Sequence, residues 1–237
     1  MIGLATGHRV YNYGTRLQAY AMQNIMRSRG FDCEIIRYVK TGTGIKGRLL
    51  TAFAQSPLFG IYARERAVFQ QLRKSPGTPA DLKKNLRKRF RAFDDFNKAH
   101  LDIHQICGSY DQLREKAGKY SAVFCGSDQA WLPDNIRYKL YTLEFCPEGV
   151  RRISYAPSFG VSHVPEDMKQ RYTRFLDRMD HISVRETRGQ ELVAELSGRE
   201  VPVVLDPTLL LEKDFWEKQT EKLRIPGGKG YIFCYFL

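Results

Sequence analysis

Short apolar runs alternate with amphipathic stretches along most of this chain. Residues 2–6 form one such run and residues 33–38 another. Between them Thr15 precedes a helical stretch with Leu17, Tyr20, Ala21, Ile25 and Met26 on one side, closed by Gly30. Strand, helix and strand in that order make a βαβ unit, whose two strands run parallel. The alternation returns at residues 122–125, 153–156, 181–184 and 201–205, with helices predicted from about Glu166 and about Thr187. Runs apolar on both faces need helices above and below. The pattern therefore predicts an α/β domain over residues 1–225, built on a doubly wound, mostly parallel, Rossmann-like sheet.

Residues 40–100 interrupt this rhythm with a mostly helical insertion, punctuated by Ser75-Pro76-Gly77-Thr78-Pro79 before a helix start at Asp81. Leu82, Leu86, Phe90, Phe93 and Asn97 recur at helical spacing, which predicts an amphipathic helix. At the other end, residues 226–230 read as a linker and residues 231–237 as an unbroken apolar strand. A strand apolar on both faces needs cover that the remaining sequence does not supply. It is expected to be the first strand of a second, truncated domain, or else an extra edge strand of the one sheet.

Charge changes the picture only locally. The 237 residues carry a net charge of +12, but 15 Lys and Arg against 4 Asp and Glu fall between Arg37 and His100. The rest of the chain is nearly neutral. The densest part, Lys83 to Arg91, lies on the amphipathic helix, whose basic face is either simply solvated or drawn to a polyanion. A contact of residues 64–98 with an anionic membrane surface is the sharper expectation. No nucleic-acid module is recognisable, so nucleic acid is not an expected partner. No apolar run approaches the ~18 residues of a membrane span. The start lacks the pattern of a signal peptide, and Cys33, Cys107, Cys125, Cys146 and Cys234 show no disulfide or zinc spacing. A reduced, cytoplasmic protein is expected, with the inner face of the membrane as its place of peripheral contact.

In an open parallel sheet, ligands bind beyond the carboxyl ends of the strands. The segments found there are Asn12-Tyr13-Gly14, Gly126-Ser127-Asp128-Gln129, Pro157-Ser158-Phe159-Gly160, Arg185-Glu186 and Asp206-Pro207-Thr208. Small, polar and charged residues thus gather at one rim. Arg185 is the most suggestive, since a guanidinium suits a phosphate or carboxylate; the alternative is an ion pair with Glu186, Asp206 or another rim acid. Asn12 and Gly14 either form a tight turn or meet a ligand. Asp128 either caps a turn or binds a hydroxyl, and Asp206 before Pro207 reads first as a turn former. His8, His100, His104, His163 and His181 have no metal spacing, and no metal site is expected. No P-loop, GxSxG or HExxH occurs.

Five of these segments, taken in order, resemble the polysaccharide pyruvyl transferase family. They are Asn12-Tyr13-Gly14-Thr15-Arg16-Leu17-Gln18, Val123-Phe124-Cys125-Gly126-Ser127-Asp128-Gln129-Ala130-Trp131, Tyr155-Ala156-Pro157-Ser158-Phe159-Gly160, Ile182-Ser183-Val184-Arg185-Glu186 and Val204-Leu205-Asp206-Pro207-Thr208. The resemblance implies the first of two facing Rossmann-like domains, as in GT-B glycosyltransferases. It implies transfer of pyruvate, as a ketal, from phosphoenolpyruvate to a sugar of a cell-surface polysaccharide or lipid-linked glycan. Phosphoenolpyruvate would be a co-substrate, with no cofactor. Arg185 would hold the donor. Asn12, Tyr13, Gly14, Ser127, Asp128, Gln129, Ser158 and Asp206 would line the acceptor side. The general acid is expected from the second domain, which family members add. Two other functions fit the same features: a nucleotide-sugar glycosyltransferase of GT-B type, and a non-catalytic basic module that grips acidic glycans or membranes.

Overall fold

The structure is a computed structural model that describes residues 1–42, 44–73, 81–103 and 106–221. The expected linker and strand at 226–237 lie outside the described residues. Strand β1 is Ile2–Ala5, β2 Cys33–Ile35, β3 Ala122–Cys125 and β4 Arg151–Ser154. They form one sheet in the order β2-β1-β3-β4, with every pair parallel. Ile2 lies beside both Cys33 and Ala122, and Ala122 beside Arg151, so the strands are nearly in step and end together.

Alternation along the strands divides the core in two. Ala5, Val123 and Cys125 point to one side, where they meet α5 (Tyr110–Ala117), the short α6 (Pro133–Ile136), α7 (Glu166–Asp177) and α8 (Thr187–Ser197) through Leu113, Ile136, Phe175 and Val193. Ile2, Leu4 and Phe124 point to the other, against Ala19, Tyr20 and Met22 of α1 (Tyr13–Ser28) and Phe215 and Trp216 of α9 (Lys213–Thr220). Helices on both faces of a parallel sheet give the expected Rossmann-like α/β fold.

Helix α1 starts earlier than the sequence pattern suggests. Asn12 is its N-cap, and its side chain accepts from the Thr15 backbone N–H at 3.0 Å. Such a cap contributes about 1 kcal/mol. The buried face also differs: Leu17 is exposed, whereas Arg16, Gln18 and Gln23 are buried. Gln23 donates to the His100 carbonyl and accepts from the Asp102 N–H, which ties the insertion's end to α1.

Among its described residues the insertion forms three helices, α2 (Gly44–Gln55), α3 (Pro57–Arg73) and α4 (Asp81–His100). The expected stripe is real: Leu86, Phe90 and Phe93 of α4 are buried around Val68 of α3. On its return the chain runs beside β2, bridging Ile35 to Ile103 and Tyr38 to Cys107 in parallel. The hydrophobic pattern gave no sign of this edge.

The expected strands at 181–184 and 201–205 are shorter than predicted. They extend the sheet only by single parallel bridges, Ile153 to His181 and Val184 to Val203. Local chemistry explains this. The Ser154 and Ser183 hydroxyls each donate to the other's backbone carbonyl, at 3.2 and 3.0 Å, and compete with a regular ladder. Pro202 has no N–H to give.

Candidate functional site

The parallel register places the segments after β1, β3 and β4 at one rim. The bridged segments bring Arg185 and Asp206 to the same rim. Asp206 organises it. As N-cap of a short 3-10 turn (Pro207–Leu209), it accepts from the Thr208 N–H at 3.0 Å and the Thr208 hydroxyl at 2.8 Å through one oxygen. Its other oxygen accepts from the Ser127 hydroxyl at 2.8 Å and from Arg185 Nη1 at 3.1 Å. Burial pushes its pKa up, but the donors from Thr208, Ser127 and Arg185 outweigh burial and hold it below the usual Asp value. Asp206 is therefore a fixed anion and a weak proton acceptor.

Arg185 reaches between two acids. Besides Asp206, its Nη2 lies 4.0 Å from Asp128 Oδ1. Its side chain is 32% exposed, so part of the guanidinium still faces solvent at the rim. Asp128 in turn accepts from the Thr15 hydroxyl at 2.7 Å, which joins α1 to the cluster. Its backbone has φ +66°, and its carbonyl accepts from the Ser158 N–H at 2.8 Å. Gly126 also has positive φ (+114°), and a Cβ there would collide with the Tyr155 carbonyl. Only glycine lets the β3 and β4 loops approach so closely.

A second layer holds these groups. Gln18 Oε1 accepts from the Ser127 N–H at 3.0 Å, while its Nε2 donates to Thr6, Gly7 and Thr15 oxygens. Glu186 accepts from the Phe159 N–H at 3.0 Å. Thr15 and Gln18 escaped the sequence reading as site residues, and Glu186, expected only as a rim acid that could pair with Arg185, instead holds the Phe159 N–H. Gln18, a long amide within an otherwise amphipathic helix start, was the available signal.

The other expected residues are placed differently. Asn12 serves as a cap. Tyr13 leans on the insertion, 4.8 Å from the Phe93 ring and 5.1 Å from the Arg89 guanidinium. Gly14 is exposed on the first turn of α1. The Gln129 amide lies against Gly160, and the Ser158 hydroxyl accepts from the Gly160 N–H at 3.1 Å. Ser127, Asp128, Arg185 and Asp206 thus form one connected cluster; Asn12 and Ser158 brace it through the Thr15 N–H and the Asp128 carbonyl, whereas Tyr13, Gly14 and Gln129 have the separate surroundings just described. A surface depression of about 420 Å³, lined by His163, Glu166, Lys169 and Glu195 among others, lies between α7 and α8, apart from this cluster. Among the described residues, no group of three His, Cys, Asp or Glu is placed to hold a metal ion.

His8, in the loop after β1, is 5% exposed. Burial, with Arg16, Arg37 and Arg9 nearby, lowers its pKa to about 4 against the pull of its hydrogen bond to the Thr6 carbonyl. It is neutral at pH 7 and is not a proton donor there. The unfolded chain binds this proton below about pH 6.5, whereas the folded chain resists until about pH 4. Stability should therefore be full above pH 6.5 and fall by about 3 kcal/mol as the pH drops to 4. Urea unfolding across that range checks it: the His8→Gln variant should lose most of the slope, and an unchanged slope would assign it to other groups.

An α/β body with a carboxylate–guanidinium cluster at its strand ends is a layout in which polar or anionic ligands can be held. The chain belongs to the polysaccharide pyruvyl transferase family, whose profile matches residues 12–235. That membership indicates polysaccharide pyruvyl transfer in general. No curated protein and no solved structure matches the chain. Among the described residues, no helix is long and apolar enough to cross a membrane.

Proposed function

We propose that this protein transfers pyruvate from phosphoenolpyruvate to a pair of sugar hydroxyls, forming a ketal and releasing phosphate. The observation that carries the reading is Arg185, held by Asp206 at 3.1 Å and facing Asp128 at 4.0 Å on an open rim, in a chain of this family. A proton goes to C3 of the enol, which makes C2 electrophilic. One sugar hydroxyl adds to C2, and the second displaces the phosphate. The two hydroxyl protons balance the one gained by C3 and the one leaving with phosphate.

The residues divide this work. Arg185 donates to the phosphate or carboxylate of the donor through the N–H groups that face solvent. Two carboxylates already offset its charge, so a dianionic donor needs further cations. Arg9, Arg16 and Arg37 near His8 supply positive potential close by. Asp128, with Thr15, accepts from an acceptor hydroxyl. Asp206 keeps Arg185 in place and, being firmly ionised, takes no proton. No residue of this rim is assigned as the general acid. That group comes from a second Rossmann-like domain facing this one in a GT-B-like arrangement, and no metal or organic cofactor takes part.

Phosphate release from phosphoenolpyruvate, measured with a panel of glycans and lipid-linked sugars, tests the reading, with donor binding followed by calorimetry. Acceptor-dependent release is the expected result. Donor binding that is absent, together with no release across the panel, would sink the proposal. Thermal protection by uridine diphosphate instead would favour a nucleotide-sugar glycosyltransferase.

A further inference from the structure

Helices α2 and α3 expose more apolar surface than a solvated hairpin explains. Ile45 is 80% exposed, Leu49 68%, Leu58 65% and Phe69 61%, with Phe53, Ile61 and Tyr62 also exposed. Ile45, Leu49 and Phe53 repeat every four residues along α2, as do Ile61 and Phe69 about Glu65 on α3. The two stripes join at the helix junction. The Phe53 ring lies 5.7 Å from Phe59 and 6.4 Å from Tyr62. The result is one continuous ridge, and contiguous apolar surface of this kind marks a contact site.

Charge identifies the partner. Residues 44–64 contain no Asp or Glu, while Lys46, Arg48 and Arg66 are interleaved with the ridge and exposed. Helix α4 adds a second basic row beside it. Glu65, within the α3 stripe, pairs with Arg87 of α4 at 2.5 Å and feels Lys83 as well. Lys83, Arg87 and Arg91 are four residues apart, so they share the α4 face next to Ile61 and Phe69. A second copy of this ridge would bring cationic borders against each other. An anionic surface with an apolar interior satisfies both features at once.

We infer that the α2–α3 ridge docks on an anionic lipid bilayer, with its Leu, Ile, Phe and Tyr side chains at headgroup depth and its Lys and Arg on the lipid phosphates. This places the anchor on residues 45–69, with the α4 face as its electrostatic border. The apolar contact gives residence, and the basic border gives the preference for negative lipid. The inference does not depend on the proposed reaction.

Co-sedimentation of the 237-residue chain with vesicles tests it. One set is phosphatidylcholine alone, and the other carries about 30% phosphatidylglycerol, a typical anionic content. Partitioning is expected to favour the anionic set about tenfold or more and to weaken with salt. Leu49→Glu with Leu58→Glu, both at exposed positions, should lower anionic partitioning by about tenfold with unchanged circular dichroism. Lys83→Gln with Arg91→Gln should weaken binding and flatten its salt dependence. An Ile61→Trp reporter should shift its emission to the blue on anionic vesicles. Three outcomes would each overturn the inference: no binding to anionic vesicles, binding unaffected by the paired Glu substitutions, or a lipid-free dimer that those substitutions dissociate.

Discussion

Arg185→Ala is expected to lower pyruvyl transfer on the order of a hundredfold or more, the scale of losing a charge-assisted contact to a reacting anion. The affinity for phosphoenolpyruvate should fall with it. Removing the guanidinium leaves Asp206 and Asp128 without the cation between them. The structural loss is smaller, about 1–2 kcal/mol, because the pair is partly solvated. Arg185→Lys separates the two effects. It restores a charge beside Asp206 but no planar fork, so stability should recover while transfer stays low. Carboxyl titration by NMR should show Asp206 rising toward its usual value in the alanine variant. If that variant binds the donor and turns it over normally, Arg185 is a brace between two acids and nothing more.

The largest loss of stability is expected at Trp131. Its ring is fully buried and packs at 5.3 Å against Phe159 and 5.4 Å against Phe175. Its indole N–H donates to the Tyr141 carbonyl at 3.2 Å, and its own carbonyl accepts from the Tyr172 hydroxyl. Trp131→Ala should cost about 3–5 kcal/mol, mainly from the cavity, with a smaller loss at the Tyr141 carbonyl, which keeps only the weak Cys125 thiol as donor. For a chain of this size that lowers Tm by about 6–20 °C. Trp131→Phe should recover most of the packing but not the hydrogen bond. The backbone explains why the loss reaches the site. The Trp131 N–H donates to the Ser158 carbonyl, and the Ser158 N–H to that of Asp128, so the residue anchors the loop that carries a rim carboxylate. Calorimetric unfolding measures the effect, and a change under 1 °C would show that the ring is not part of the core.

The same contrast between pattern and context governs what was legible. Continuous apolar runs marked β1 and β3, because strands buried on both faces have no polar side to interrupt them. The run at 153–156 marked β4 two residues late: the strand is Arg151–Ser154, with Arg151 exposed, and backbone pairing to β3 sets its start. The runs near 181 and 201 looked alike in sequence, yet formed only single bridges. Ser154, Ser183 and Pro202 decide that through backbone bonding, which hydrophobicity does not record. The rim was legible as a set, since all strands of a parallel sheet end on one side. Ser127, Asp128, Arg185 and Asp206 therefore followed from strand order alone. Thr15 and Gln18 did not. Both lie on a helix whose periodicity points to an apolar face, but that face meets loop backbone here, and backbone N–H groups call for polar partners. The α2–α3 ridge was hidden for another reason: the segment read only as part of a mostly helical basic insertion, and the exposure of its apolar residues is a tertiary property.

By itself the sequence determined the α/β class, the family and the rim at which chemistry is expected, because these rest on periodicity and on segment order. The tertiary structure alone decided which rim residues touch. Arg185 and Asp206 are 21 positions apart, and Thr15 and Asp128 are 113 apart. Such pairings depend on loop geometry and on register between strands, and nothing local in the chain encodes a contact made across that distance.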